Sequence, residues 1–165
     1  MAGSVPAEKR EALAQKLKEL AGRPVCLAFS GGVDSGLLLK LLAENQGASP
    51  LYPVMLSTSL QPRGDEPEAR RQARACGVEL TVLAVDLESC RELWQNPPDR
   101  CYLCKRTMFA QLKQWAEVRG ACVLDGTNAD DRLVYRPGLR ALAELGIASP
   151  LAECGITKEE VRALA

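Results

Sequence analysis

Hydrophobic residues follow helical spacing in some stretches of this chain and form short continuous runs in others. Between residues 6 and 21, Leu13, Leu17 and Leu20 recur on one face among charged neighbours. That pattern predicts an amphipathic helix, stopped by Gly22 and Pro24. Residues 25–29 form an apolar run suited to a strand buried on both faces. The leucine-rich stretch that follows predicts a helix over 35–44, ended near Gly47. A second strand is expected over 51–57. Residues 61–67 read as a loop, punctuated by Pro62, Gly64 and Pro67. A helix over 68–76 ends at Gly77, and a third strand follows over 79–85. Asn96-Pro97-Pro98-Asp99 is a break before a long helix over 101–118, with Met108, Leu112 and Trp115 in register. A fourth strand over 121–124, a helix over 138–145 and a short fifth strand over 147–151 complete the alternation. Thr157 and Glu160 then form a capping box that opens a last helix.

Strands alternating with helices predict an α/β fold: a doubly wound parallel sheet, Rossmann-like and three-layered. Ligands in such sheets bind beyond the carboxyl ends of the strands. The length of 165 residues suits one domain spanning 1–165. The chain stops about two turns into its last helix, which fits a truncated longer chain, a disordered remainder or a short native C-terminus.

Composition narrows the function classes. With 47% hydrophobic and 25% charged residues, the chain is globular. Its formal net charge is zero, so the general electrostatic footprint of a nucleic-acid partner is missing. No apolar run reaches membrane-spanning length. The polar N-terminus, carrying both charge signs, does not read as a signal peptide. Seven cysteines, an odd number, fit a reduced cytoplasmic setting better than a disulfide framework. Cys26 and Cys122 lie in strand-like runs. The absence of histidine excludes histidine base catalysis and Ser–His triads. Carboxylates, lysine, arginine, cysteine and a metal or cofactor must carry any chemistry.

The densest candidate site is Ser30-Gly31-Gly32-Val33-Asp34-Ser35, between the first strand and its helix. A glycine turn there aims backbone N–H groups and a helix N-terminus at one point, a geometry that binds phosphate. Ser30 and Ser35 add hydroxyls. Asp34 would repel bare phosphate and is read as acting through Mg²⁺, as a catalytic and metal-binding carboxylate. The Walker spacing is absent. At the end of strand two, Ser57, Thr58 and Ser59 either meet adenine and ribose or simply form a turn. Asp125-Gly126-Thr127-Asn128-Ala129-Asp130-Asp131, after strand four, could contact a nucleotide. Gly126, Thr127 and Asn128 supply the close approach and the donors there, and Asp130 is a weaker Mg²⁺ candidate. Cys101 and Cys104, at i,i+3 in the first turn of a helix, sit beside Arg100, Lys105 and Arg106. That field is expected to favour thiolate. A metal site would need further ligands, such as Cys90 or Cys154. Lys105 is a candidate catalytic cation, and Arg106 a candidate for gripping an anionic substrate. Arg132, Arg136 and Arg140 would form a basic stripe if helical, although Pro137 argues for a loop presenting Arg136.

These strings carry a resemblance. SGGVDS resembles the PP-loop of the ATP pyrophosphatase superfamily (adenine nucleotide alpha hydrolase-like). With NPPDRCYLCKRTMF, DGTNADD, YRPGLRALAELGIASPL and TKEEVRALA, the chain resembles the LarE family of ATP-dependent sacrificial sulfur transferases, from about Pro24 to Ala165. The resemblance implies ATP and Mg²⁺, with the pyrophosphate held by Ser30, Gly32, Asp34 and Ser35. It implies adenylation of a carboxylate on a pyridinium dicarboxylate mononucleotide, in a step of nickel-pincer cofactor synthesis. It also implies a nucleotide-side turn at Gly126, Thr127 and Asn128, and Cys101, Cys104, Lys105 and Arg136 match the family strings; Arg136, like Arg106, is a candidate substrate contact. Some members carry an iron–sulfur cluster, for which this chain alone offers no full ligand set. The sulfur-donating cysteine of the family lies beyond the Thr-Lys-Glu-Glu-Val-Arg segment, in a C-terminal domain that this chain lacks. Leu133-Val134 stand where the family carries more polar residues. A small-molecule carboxylate substrate and a homo-oligomer are expected, with no membrane or nucleic-acid partner. The alternatives are another PP-loop ligase, with NAD or GMP synthetase-like amidation or tRNA thiolation, or a domain that binds ATP or AMP without turnover.

Overall fold

The computed structural model describes residues 4–58, 66–88, 90–95, 98–134 and 136–165. Ser59, most of the loop expected over 61–67, Asn96, Pro97 and Tyr135 lie outside them. Four parallel strands form the sheet: β1 (Val25–Ala28), β2 (Leu51–Ser57), β3 (Thr81–Ala84) and β4 (Cys122–Leu124). Their order is β3-β2-β1-β4. Chain order therefore reverses between β1 and β4, and a crevice opens at the carboxyl ends of those two strands.

Strand residues alternate between two opposite layers, as the two-residue strand period requires. Val25, Leu27 and Phe29 join a core with α1 (Ala7–Leu20), α2 (Val33–Asn45), α3 (Glu66–Ala75) and α7 (Lys158–Leu164). Leu13, Leu17, Leu20, Leu38, Leu39, Ala69 and Val161 fill that layer. Cys26 and Val54 point the other way, to Met108, Phe109 and Leu112 of α4 (Arg100–Val118) and Leu142 of α5 (Pro137–Glu144). Edge-to-face packing of Tyr52 on Trp115 closes the outer margin of this second layer, with ring centroids 5.6 Å apart.

The fifth strand expected over 147–151 does not form. Ala148 makes a single parallel bridge to Leu124, and Pro150 then starts a short helix, α6 (Pro150–Glu153). Proline lacks the N–H a ladder needs, and its fixed φ suits the first helical position. The same preference brings Pro137 inside α5 and Pro67 inside α3. The turn at the capping box is as the sequence predicts: Thr157 Oγ1 accepts from Glu160 N, and Glu160 accepts from Thr157 N.

Candidate functional site

β1 ends at the loop Ser30–Gly32, and α2 begins at Val33 with no side chain capping its first turn. Helix geometry leaves the leading N–H groups without intrahelical partners, so they are available to an anion. Gly31 adopts φ +83, a conformation that glycine takes at no steric cost. Gln72 of α3 donates to the Gly31 carbonyl at 3.2 Å, which ties the loop to α3. The hydroxyls of Ser30 and Ser35 lie 3.1 Å apart, and Gly32 N–H donates to Ser30 Oγ at 3.3 Å.

The β4 turn closes against this loop. An added Cβ on Gly126 would lie 2.9 Å from the Ser35 backbone nitrogen, so the two backbones are in contact. Asp125 is buried and anchors the turn. It accepts from Ser149 Oγ at 2.5 Å and from Thr127 Oγ1 at 2.7 Å. Asn128 and Asp131 exchange side chain–backbone hydrogen bonds at 3.0 and 3.1 Å.

Both the loop and the β4 turn meet at Asp34. Its Oδ2 accepts from Asn128 Nδ2 at 3.3 Å and from Lys158 Nζ at 2.9 Å. Its Oδ1 is buried without a hydrogen-bond partner among the described residues. A buried carboxylate oxygen left this way suits a hard cation such as Mg²⁺, which prefers carboxylate and phosphate oxygens. Lys158, the first residue of α7, is a charged site residue that linear reading missed. The capping box marks it as a helix start, but nothing local says that this helix end faces Asp34, 124 positions earlier.

A cavity of about 620 Å³ opens over this meeting point, a size typical of small-ligand sites. Ser30, Gly32, Val33, Asp34 and Ser35 form one wall, and Asp125, Gly126, Thr127, Asp131 and Lys158 another. Met55, Leu56 and Val82 give an apolar side from β2 and β3, where a base could lie, and Ser57 adds a hydroxyl from the end of β2. Lys105, Met108 and Phe109 of α4, at i, i+3 and i+4, close the cavity opposite. Lys105 Nζ sits 5.4 Å from the Phe109 ring centroid, and the absent side chain of Gly138 leaves room for its stem.

Other expected site residues lie elsewhere. Asp130 is not among the cavity residues, and its Oδ2 accepts from the Lys158 backbone N–H at 2.9 Å. Arg106, about 100° around α4 from Lys105, lines a separate depression with Cys90 and Arg91. Arg136 is extended at the start of α5 and pairs with Asp131 at 3.5 Å. Arg132 lies in a short 3-10 turn and Arg140 stacks on Tyr102 at 4.1 Å, so no basic stripe forms. Leu133 and Val134 are exposed beside this turn.

The expectation of a thiolate-favouring field at the paired cysteines needs correction at Cys104. Burial raises its pKa above the ordinary 9.0 and outweighs the lowering by Lys105 and Arg100. Burial also pushes the Cys26 thiol up to about 12, with Cys122 adding to the rise and Arg119 opposing it. Cys101 is exposed. Alkylation of the native protein at pH 8 should therefore label Cys101 readily and Cys26 only after denaturation, as peptide mass mapping would show. Because the folded pKa of Cys26 exceeds its unfolded value, its contribution to stability is complete below pH 9 and is lost as pH rises toward about 12. Labelling of Cys26 at the rate of Cys101 would contradict its placement in the sheet.

The asparagine synthase family matches residues 9–130. A pyridinium-3,5-bisthiocarboxylic acid mononucleotide synthase of Lactiplantibacillus plantarum, a LarE protein, is 35% identical over 160 residues. The match takes in 96% of this chain and 57% of that protein. An uncharacterized protein of Synechocystis is 38% identical over 137 residues, 82% of this chain and 51% of its own length. The chain thus spans about half the length of these curated relatives. Among solved structures, the glutamine-dependent NAD⁺ synthetase of Acinetobacter baumannii in complex with ADP superposes with TM-score 0.69 at 22% identity. It covers 99% of this chain and 34% of that one, and shares its fold. From the loop after β1, the switch point between β1 and β4 and the match over residues 9–130, the chain belongs to the asparagine synthase family and carries its PP-loop domain.

Proposed function

We propose that this chain binds Mg·ATP over the loop at residues 30–35 and adenylates a carboxylate substrate, releasing pyrophosphate. The observation that carries this reading is the convergence on Asp34. The loop after β1, the turn after β4 and the first residue of α7 all meet there, beneath a cavity of about 620 Å³. The uncapped first turn of α2 and the hydroxyls of Ser30 and Ser35 would take the β,γ-phosphates. Asp34 Oδ1 would hold Mg²⁺, which neutralises phosphate charge when bound. Lys158 and Lys105, on opposite walls, would oppose the remaining charge. Ser57 and the apolar ends of β2 and β3 would take the nucleoside. Gly126, Thr127 and Asn128 would close over it.

A carboxylate oxygen of the substrate attacks the α-phosphorus. A new C–O–P link forms as the bond between the α-phosphorus and the bridging oxygen breaks. Pyrophosphate leaves with the electron pair of that bond. The substrate proposed is the pyridinium dicarboxylate mononucleotide of LarE-type chemistry, on the strength of the 35% identical relative. Lys105, on the cavity wall formed by α4, is the residue proposed to meet that carboxylate. Arg136, held by Asp131 at 3.5 Å, is a second candidate contact. A cytoplasmic setting and a homo-oligomer belong to the same proposal. Among the described residues, no helix is long and apolar enough to cross a membrane.

The test is pyrophosphate release from Mg·ATP with and without that mononucleotide, with mass spectrometry of the small-molecule product. Substrate-dependent pyrophosphate with an adenylated product is expected. ATP binding without pyrophosphate, under either condition, would mean that this acceptor is wrong, that adenylation needs the part of the relatives beyond this match, or that the domain only binds nucleotide.

A further inference from the structure

We propose that Asp130 is a positioning residue: its carboxylate fixes the backbone of Lys158 so that the Lys158 ammonium rests on Asp34. This inference rests on the nucleotide reading of the cavity and deepens it. The position was read from sequence as a Mg²⁺ ligand, yet Asp130 is absent from the cavity wall and its Oδ2 takes the Lys158 N–H at 2.9 Å.

The first turn of α7 is held on three sides. Ala129 N–H donates to the Ile156 carbonyl at 2.8 Å, and Asp130 holds Lys158 one residue later. These two bonds join the segment leading into α7 to the turn that also delivers Asn128 to Asp34. The capping box orders Thr157 and Glu160. Lys9 of α1 then grips both Glu160 oxygens, at 2.8 and 2.9 Å. That grip and the Thr157 bonds outweigh burial and hold the Glu160 carboxyl below its ordinary range. Helix α7 has only seven residues, too few to keep its own first turn in place. Without the Asp130 tie, the Lys158 N–H loses a charge-assisted bond and the side chain loses its fixed origin. The Asn128 arm and the Lys158 arm would then reach Asp34 independently.

The two roles for Asp130 predict different outcomes for conservative replacement. An amide keeps an acceptor oxygen for the Lys158 N–H but is a poor replacement for a metal-binding carboxylate. Asp130→Asn should bind ATP within about twofold of the parent and need no more Mg²⁺. Asp130→Ala should weaken ATP binding about tenfold, the usual size of a lost hydrogen bond to a charged group. It should also speed hydrogen exchange of the Lys158 amide about tenfold, with the Asn variant remaining protected. Equal impairment of both variants with a raised Mg²⁺ requirement would make Asp130 a metal ligand and overturn the proposal. An Ala variant matching the parent in ATP affinity and amide exchange would also overturn it. If the parent binds no Mg·ATP, the nucleotide reading falls by itself. The amide-exchange comparison would still decide whether Asp130 holds Lys158.

Discussion

Asp34→Ala is expected to cut Mg²⁺-dependent pyrophosphate release at least about a hundredfold, the scale seen when one preorganised electrostatic group is removed from a reacting site. Folding should survive. Among the described residues, the substitution gives up the ion pair with Lys158 and the long 3.3 Å hydrogen bond from Asn128, and the side chains of Asp34 and Lys158 are partly exposed, at 22% and 35%. Such a pair contributes about 1 kcal/mol or less. The substitution also removes Oδ1, a buried oxygen without a partner among the described residues, and that removal offsets the lost pair. A midpoint in urea close to that of the parent should therefore accompany lost turnover. Stability given up for function in this way is common at sites that await a ligand. Comparing thermal or urea unfolding with pyrophosphate release for the two proteins checks both halves. Turnover at the parent rate would remove Asp34 from the site. Loss of turnover together with gross unfolding would make Asp34 a structural residue instead.

Much of this was legible in the sequence because the signals are local. Two glycines and two serines between an apolar run and a leucine-rich helix specify a tight loop at a helix N-terminus, and the strand–helix alternation specifies where that loop lies in the sheet. The site's long-range partners were not legible. Lys158 is marked only as a helix start, and its contact with Asp34 depends on α7 packing against α2 across the fold. Asp130 and Asp131 read alike in sequence, but one faces the Lys158 backbone and the other the cavity. Lys105 and Arg106 were paired as anion-gripping residues although neighbours on a helix diverge by about 100°. Helical spacing alone separates them, and the cavity-facing set is Lys105, Met108 and Phe109. The apolar run at 147–151 shows the opposite failure. Its composition suits a strand, but Pro150 cannot donate to a ladder, and one bridge at Ala148 is all that forms.

Gly126→Ala tests the closure of the site from the other side and should have the second-largest effect. No unusual φ is involved; the constraint is space. The new methyl would lie 2.9 Å from the Ser35 nitrogen, 3.1 Å from its Cα and 3.3 Å from its Cβ. Two of those atoms belong to the backbone, so no side-chain rotation relieves the clash. Either the β4 turn retreats, carrying Thr127 and Asn128 with it, or the first turn of α2 moves with Asp34. Overpacking of this kind costs about 1–3 kcal/mol, and either movement separates the two walls that would grip the nucleotide. ATP affinity should fall at least about tenfold, the equivalent of roughly 1.4 kcal/mol. The urea midpoint should drop with it. Gly22→Ala is the matched control, since an added Cβ there meets nothing within 4 Å. A Gly126→Ala protein that binds ATP like the Gly22→Ala protein would mean that the β4 turn and the loop after β1 do not touch in solution. The convergence on Asp34 would then lose one of its three arms.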